Sequence, residues 1–215
     1  MNHRLPQTEK KDWKEVPLEH YTELYAQLDP LAAAARCNID YDTGEQKFSI
    51  RLMGAEYRLA FPEFKIETEV GADDTSISEK ILLMRYLCEG RWTAPRGKQL
   101  SYREVPWGEV YFKSFEGRCL ARFARTFGAD PQSFNRVMEA APLKAEKIPK
   151  NEFAYRFEFA SNLSMSLFLW QADDEFPASA QILFDDNVPA AFSAEDIVVA
   201  GEVVITRLKA LAAAL

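Results

Sequence analysis

Acidic and aromatic side chains are concentrated between Trp170 and Asp196, where the sequence has almost no positive charge. From residue 151 to residue 196 there are nine acidic residues and one basic residue, whereas the rest of the chain, with 25 basic and 24 acidic residues, is nearly neutral, so the net charge of −7 arises in this segment. Convergent carboxylates are hard oxygen ligands that suit magnesium or calcium. Our candidate binding residues here are Trp170, Asp173, Asp174, Glu175 and Asp185, and the candidate metal ligands are Asp173, Asp174 and Glu175.

The pairing of the flanking strands decides whether these carboxylates meet. If the strands on either side of the loop form a hairpin, Asp173 lies at one end of it and Asp185 at the other. The spacing does not match an EF-hand loop. The alternative is that the carboxylates cap a turn or a helix, are solvated, or pair with arginines. The sequence leaves both interpretations open.

A second group of candidates lies in the basic, aromatic stretch from Arg85 to Arg125. Arg118, Arg122 and Arg125 recur at helical spacing and predict one face of a helix, and Arg103 lies in the same stretch. Such a face can bind the oxygens of a small anionic ligand. The alternative is that it pairs with the acidic segment of the same chain or with a partner chain. Nucleic acid is an unfavourable ligand because the sequence pI is about 5.1.

Cysteine and histidine are too few and too dispersed for several kinds of site. The three cysteines have wide spacings and no C-x-x-C pair, so the chain has no iron–sulfur or zinc motif and no disulfide framework. The two histidines both lie in the first twenty residues, which excludes most hydrolase and zinc-enzyme patterns. Neither a signal peptide nor a membrane-spanning apolar run is present, so we expect a cytoplasmic protein.

Helical periodicity and capping residues predict the helices that position these candidates. Apolar residues from Leu18 predict a first helix, and Asp29-Pro30 predicts the N-terminus of a second. Ser76 and Glu79 form a capping box before a helix that ends at Gly90. The remaining predicted helices cover residues 115–127, residues 131–140 and the region that follows the cap residue Ser193.

Alternating apolar residues predict two groups of strands. The first group comprises residues 47–52, 57–61 and 64–70, and the second comprises residues 154–159, 163–170 and 179–184. Residues 91–108 are predicted as a loop that contains a short strand near residues 99–103.

These elements predict an α+β fold: a single domain whose antiparallel sheet is built from two hairpin-rich blocks and covered by helices, with a long C-terminal helix. Residues 1–16 are predicted to be a mobile N-terminal segment, and residues 17–215 form the domain. Gly201 predicts a close approach of another helix to the last one. The apolar turn 210–215 suits burial against this domain or a second copy, so monomer and homodimer both stay open.

A longer signature runs through the chain. Its C-terminal part reads Trp170, Asp173-Asp174-Glu175-Phe176-Pro177, Ile182-Leu183-Phe184-Asp185 and Ser193-Ala194-Glu195-Asp196, and its earlier parts are Leu28-Asp29-Pro30, Tyr41-Asp42, residues 80–87 and residues 101–106. This pattern resembles the uncharacterised family catalogued as domain of unknown function 3786. The family occurs mainly in anaerobic bacteria and archaea and has no assigned activity. The resemblance covers most of the chain, and it implies no reaction and no cofactor.

Three hypotheses about function follow. The leading one is a non-enzymatic binding module for a partner protein or a small anionic ligand in the metabolism of an anaerobe. The alternative is an enzyme or cofactor-handling protein whose cleft contains Trp170, the carboxylates and Arg103. Such an enzyme does not need histidine, because paired carboxylates can carry out general acid–base catalysis. A third, structural hypothesis places Phe176 and Phe184 in the core and has Asp185 accept hydrogen bonds from local backbone amides.

Overall fold

The computed structural model describes residues 15–68, 75–140 and 143–215. The α-helices are α1 (Glu15–Ala26), α2 (Pro30–Cys37), α3 (Ile77–Glu89), α4 (Gly108–Phe115), α5 (Ala121–Phe127), α6 (Pro131–Glu139), α7 (Val188–Ala191) and α8 (Ala194–Ala214). The strands are β1 (Asp40–Asp42), β2 (Lys47–Leu52), β3 (Ala55–Ala60), β4 (Lys65–Thr68), β5 (Gln99–Ser101), β6 (Glu146–Lys147), β7 (Ala154–Ala160), β8 (Leu163–Trp170) and β9 (Ser179–Asp185). The segment 1–16 that we predicted to be mobile lies outside the described residues, except that α1 begins at Glu15.

The described strands join one antiparallel sheet in the order β4-β3-β2-β7-β8-β9-β5, with β1 beside β2 and β6 beside β7. The two predicted blocks meet between β2 and β7, where Leu52 lies opposite Ala160. The predicted α+β fold, with an antiparallel sheet built from two hairpin-rich blocks, is therefore confirmed. The third predicted strand ends at Thr68, and its last two residues lie outside the described part of the chain.

The two faces of the sheet differ sharply, as the alternation in β8 shows. Leu163, Met165, Leu167 and Leu169 are buried, whereas on the other face Ser164 and Phe168 are partly buried, Trp170 is exposed and Ser166 alone is buried. Helices cover the apolar face: Phe115 of α4 packs against Phe184 with ring centroids 6.0 Å apart. The opposite face carries polar side chains, among them Arg156, Glu158 and Ser166.

Capping residues begin the helices where the sequence predicts them. Asp29 accepts hydrogen bonds from the first backbone amides of α2, and Ser76 and Glu79 form the capping box of α3. Ser193 and Asp196 form a second capping box at the start of α8, so the predicted long C-terminal helix is confirmed. Within the described ranges, no helix combines the length and apolar composition needed to cross a membrane.

The helix predicted from Phe115 begins earlier, at Gly108, so that prediction was wrong about its start. Trp107 precedes it in the left-handed conformation, with φ of 65°, and its side chain makes no capping hydrogen bond. A Cβ on Gly108 would lie 1.8 Å from the backbone oxygen of Tyr102, so glycine permits this close turn. Without a capping residue, the sequence gives no signal for this start.

Two short irregular helices complete this region. The strand predicted near residues 99–103 is β5, which is followed by a 3₁₀-helix over Tyr102–Glu104. A π-helical turn over Glu116–Leu120 joins α4 to α5, so residues 108–127 form one continuous helical path.

The predicted close approach at Gly201 is confirmed. A Cβ there would lie 2.8 Å from Sγ of Cys119, which belongs to the π-helical turn. The Cys119 thiol donates a hydrogen bond to the Val198 carbonyl, 3.3 Å away. This contact fixes the helical path 108–127 against α8.

Candidate functional site

The acidic loop, residues 171–178, joins β8 to β9 at one end of the sheet. Oδ1 of Asp173 accepts hydrogen bonds from the backbone amides of Glu175 and Phe176, at 2.9 and 2.7 Å. The backbone amide of Asp173 donates to the Phe176 carbonyl at 2.9 Å. Asp173 therefore closes the turn, and Asp174 and Glu175 are left exposed on it.

Two large aromatic side chains lie exposed beside these carboxylates. Trp170 is 48% exposed and Phe176 is 65% exposed. Trp170 stacks on Phe168 of the same strand face, with ring centroids 6.0 Å apart and planes 12° apart. A cleft of about 230 Å³ lies along this aromatic pair, with Lys150 and Glu152 also in its wall. The prediction that Phe176 belongs to the core was wrong, because the turn closed by Asp173 holds this residue in solvent.

Five carboxylates between residues 158 and 202 form ion pairs with arginines. The pairs are Arg51 with Glu158, Arg156 with Asp185, Arg96 with Asp186, Arg85 with Asp196 and Arg118 with Glu202. Hydrogen bonds to Glu202 and Asp185 raise the pKa of Arg118 and Arg156, respectively. Burial raises the pKa of the Asp196 carboxyl, against its hydrogen bonds with Ser193 and the charge of Arg85.

The acidic loop differs from these neutralised positions. In the described part of the chain, Asp173, Asp174 and Glu175 form no ion pair with a lysine or arginine. The chain has no basic residue at all between Arg156 and Arg207. The loop therefore combines two exposed aromatic rings with carboxylates that have no counter-ion among the described residues.

Asp185 lies at the other end of β9, as the hairpin register requires, because Trp170 is opposite Ser179 while Met165 is opposite Phe184. Its carboxylate binds Arg156 at the edge of a second cleft, of about 470 Å³, which also contains Gln99 and Ser166. Gln99 Nε2 donates to the buried hydroxyl of Ser166 at 2.5 Å. Trp170 and Asp185 therefore share the polar face of the sheet but belong to different clefts.

The structural hypothesis assigned the backbone contacts to the wrong aspartate. Asp185 accepts hydrogen bonds from the Arg156 guanidinium, whereas Asp186 Oδ1 accepts one from the Arg96 amide at 2.9 Å. This amide is the main reason why the pKa of Asp186 lies below its ordinary value. Phe184 is fully buried, as that hypothesis predicted.

The carboxylates do not assemble into a metal site. Across residues 15–68, 75–140 and 143–215, no three histidine, cysteine, aspartate or glutamate side chains lie close enough to hold a metal ion. Asp173 Oδ1 accepts backbone hydrogen bonds within the turn, and Asp185 lies at the end of β9 that is far from the acidic loop. The candidate ligands Asp173, Asp174 and Glu175 therefore do not form the cluster that a magnesium or calcium site needs.

The candidate arginines contact residues of their own chain. Arg118 forms a two-bond pair with Glu202 of α8, with Nε–Oε1 and Nη2–Oε2 distances of 3.0 and 2.5 Å. Arg122 Nη2 donates to the Thr206 hydroxyl at 2.9 Å. Arg103 pairs with Glu109, and its guanidinium lies 3.5 Å from the ring centroid of Phe112. Arg103 therefore lies in neither the Trp170 cleft nor the Asp185 cleft.

Sequence reasoning missed Gln99, Arg156 and Ser166, which line the second cleft with Asp185. One signal was available, because Ser166 occupies a position in β8 where apolar residues alternate with serine. Register then places Arg156 opposite Ser166 on the same face, and Gln99 opposite Asp185. These pairings join distant segments, so the alternation alone could not supply the partners.

A family model described as Domain of unknown function (DUF3786) matches residues 29–207 of the chain. No curated protein and no solved structure matches the chain. The matched range includes the acidic loop, both clefts and the arginines that pair with α8.

Proposed function

We propose that this chain, which belongs to the DUF3786 family across residues 29–207, is a cytoplasmic, non-enzymatic module that binds a cationic segment of a partner protein. One observation carries the proposal. The carboxylates of the acidic loop have no counter-ion in the described chain, while five other carboxylates between residues 158 and 202 are paired with arginine. Trp170 and Phe176, which flank these carboxylates in the sequence, are exposed.

A lysine or arginine of a partner fits this surface chemically. A cation over the face of a tryptophan gains roughly 0.5–2 kcal/mol, and the neighbouring carboxylates add charge complementarity. Truncation of tryptophan at the centre of an interface often costs about 2 kcal/mol or more. Trp170 is therefore the expected anchor, and Asp174 and Glu175 are the expected charged contacts.

Internal contacts also support the conformation of the loop. The hydrogen bonds of Asp173 hold its backbone, and Phe168 supports the Trp170 ring from one side. An ordered surface loses less conformational entropy on association, so more of the contact energy contributes to affinity. The negative charge of this surface disfavours an anionic ligand.

The test compares capture of proteins from a host lysate by immobilised variants. Asp174→Asn/Glu175→Gln removes two charges but keeps the Asp173 turn, and Trp170→Ala removes the aromatic anchor. We expect both variants to fail to capture the protein that the wild type captures. With the purified partner, Trp170→Ala should raise the Kd about thirtyfold, which corresponds to about 2 kcal/mol of binding free energy.

The matched control is Glu23→Gln/Glu63→Gln, which removes two exposed carboxylates elsewhere and must retain capture. A peptide of alternating lysine and leucine, followed by fluorescence anisotropy, gives a second measurement with defined chemistry. If wild type, loop variant and control bind the captured protein and this peptide equally, the loop is not the binding surface and the proposal fails.

The enzymatic alternative is favoured by one observation, the polar cleft that contains Gln99, Ser166 and Asp185. Its volume of about 470 Å³ lies within the range of small-molecule sites. The cleft contains neither Trp170 nor Arg103, so the constellation expected from the sequence is not assembled. Saturable binding of a substrate-sized molecule that Ser166→Ala abolishes would support this alternative over the binding module.

A further inference from the structure

We infer that the pocket between α5, α6 and α8 binds a small polyanion that carries phosphate groups. Its volume is about 400 Å³, and Arg122, Arg125, Ser133 and Lys209 contribute to its wall. No acidic residue is among the residues that line it. The pocket is separate from the acidic loop, so the inference goes beyond the proposed function.

The three cations in this pocket have no carboxylate partner in the described chain. Arg122 donates to the neutral hydroxyl of Thr206, and neither Arg125 nor Lys209 takes part in an ion pair. Other arginines nearby are neutralised: Arg118 by Glu202 and Arg136 by Asp130. The pocket therefore concentrates positive charge in a chain whose net charge is −7.

The helices fix where these groups lie. Arg122 and Arg125 are three residues apart on α5 and so share a helix face, and Lys209 approaches from α8. The bond from Arg122 to Thr206 holds one guanidinium in place, since the Thr206 hydroxyl donates to the Glu202 carbonyl at 2.7 Å. The Ser133 hydroxyl makes no hydrogen bond within the described residues and is available to an anion oxygen.

The chemistry of these groups identifies the ligand class. Three like charges around one pocket repel each other, and a polyanion offsets that repulsion. Arginine binds phosphate oxygens through two parallel N–H groups, whereas lysine acts as a point charge. A pocket of about 400 Å³ lies in the range of small-molecule sites, roughly 300–1,000 Å³, and so accommodates more than a single phosphate. Pyrophosphate is therefore the simplest suitable test ligand.

Isothermal titration of the full chain with pyrophosphate, inorganic phosphate and citrate tests the inference. We expect saturable binding of pyrophosphate, tighter than that of phosphate or citrate. Arg125→Gln/Lys209→Gln should raise the Kd for pyrophosphate at least about tenfold, because it removes two charged hydrogen-bond donors. Arg125→Lys keeps the charge and should lose less affinity than Arg125→Gln.

The matched control, Lys65→Gln/Lys113→Gln, removes two exposed positive charges elsewhere and should keep the wild-type Kd. Asp174→Asn/Glu175→Gln should also keep it, which separates this pocket from the acidic loop. Circular dichroism checks that each variant is folded. The inference is overturned if pyrophosphate does not saturate the wild type, if citrate binds as tightly as pyrophosphate, or if the control loses as much affinity as the pocket variant.

Discussion

The ion pair between Arg156 and Asp185 should respond asymmetrically to mutation. Arg156 Nη2 lies 2.5 Å from Asp185 Oδ2, and the two side chains are 40% and 9% exposed, respectively. Arg156→Met keeps most of the aliphatic stem but leaves a nearly buried carboxylate without its cation. Asp185→Asn keeps the shape and one acceptor oxygen, and it leaves a guanidinium that water already reaches.

The exposed fractions of the two side chains determine how much each substitution should change the free energy of unfolding. Removing one partner of a buried pair costs about 3–5 kcal/mol, and an exposed pair contributes about 0–1 kcal/mol. Because Asp185 is nearly buried but faces a cleft, we expect Arg156→Met to lower the free energy of unfolding by about 2–4 kcal/mol. Asp185→Asn should lower it by about 1 kcal/mol. The double variant should be more stable than Arg156→Met alone, because no uncompensated charge stays buried.

Urea unfolding followed by tryptophan fluorescence measures all three free energies. The reasoning is refuted if Asp185→Asn costs more than Arg156→Met, or if the double variant is the least stable of the three.

Three further predictions concern the core. Gly201→Ala should lower the free energy of unfolding by about 1–2 kcal/mol, because the clash with Cys119 outweighs the gain in helix propensity, and Cys119→Ala should remove this effect in a double-mutant cycle. Burial raises the pKa of Cys37 and Cys88 to about 11 and that of Cys119 to about 12, so a thiol reagent at neutral pH should modify them slowly in the folded protein and rapidly in urea; fast labelling of Cys119 in the folded state would contradict its packing. Burial also raises the pKa of Tyr102 to about 12, so this residue's contribution to stability is complete below about pH 10 and is lost as the pH rises further; thermal unfolding of Tyr102→Phe should show a smaller alkaline loss than the wild type.

Local sequence patterns were sufficient for most of the fold. Capping residues such as Ser76 and Ser193 bond to backbone groups within one helical turn, so their pattern is visible in the sequence. The alternation of apolar residues in β8 and β9 is equally local, because it repeats every two residues. The start of α4 was missed because it depends on a left-handed Trp107 and on the contact of Gly108 with Tyr102, for which no capping pattern exists.

The candidate site was less accessible to sequence reasoning. The concentration of acidic residues was visible, but which of them keep their charge unpaired depends on arginines far away in the chain, such as Arg51 and Arg96. Charge counts contain no information about these partners. For the same reason, Arg103 was grouped with Trp170 although its partner is Glu109, six residues away.

The sheet topology has a consequence for synthesis on the ribosome. Among the described strands, β5 pairs with β9 alone, and β9 itself pairs with β8, so β5 emerges long before its partner strand. The arginines at 51, 96 and 118 likewise emerge before the carboxylates that neutralise them. Such non-local pairing slows folding and leaves strand edges open to other chains. The sheet therefore cannot be completed until β8 and β9 have been synthesised, so the edges of the strands made earlier stay exposed on the nascent chain.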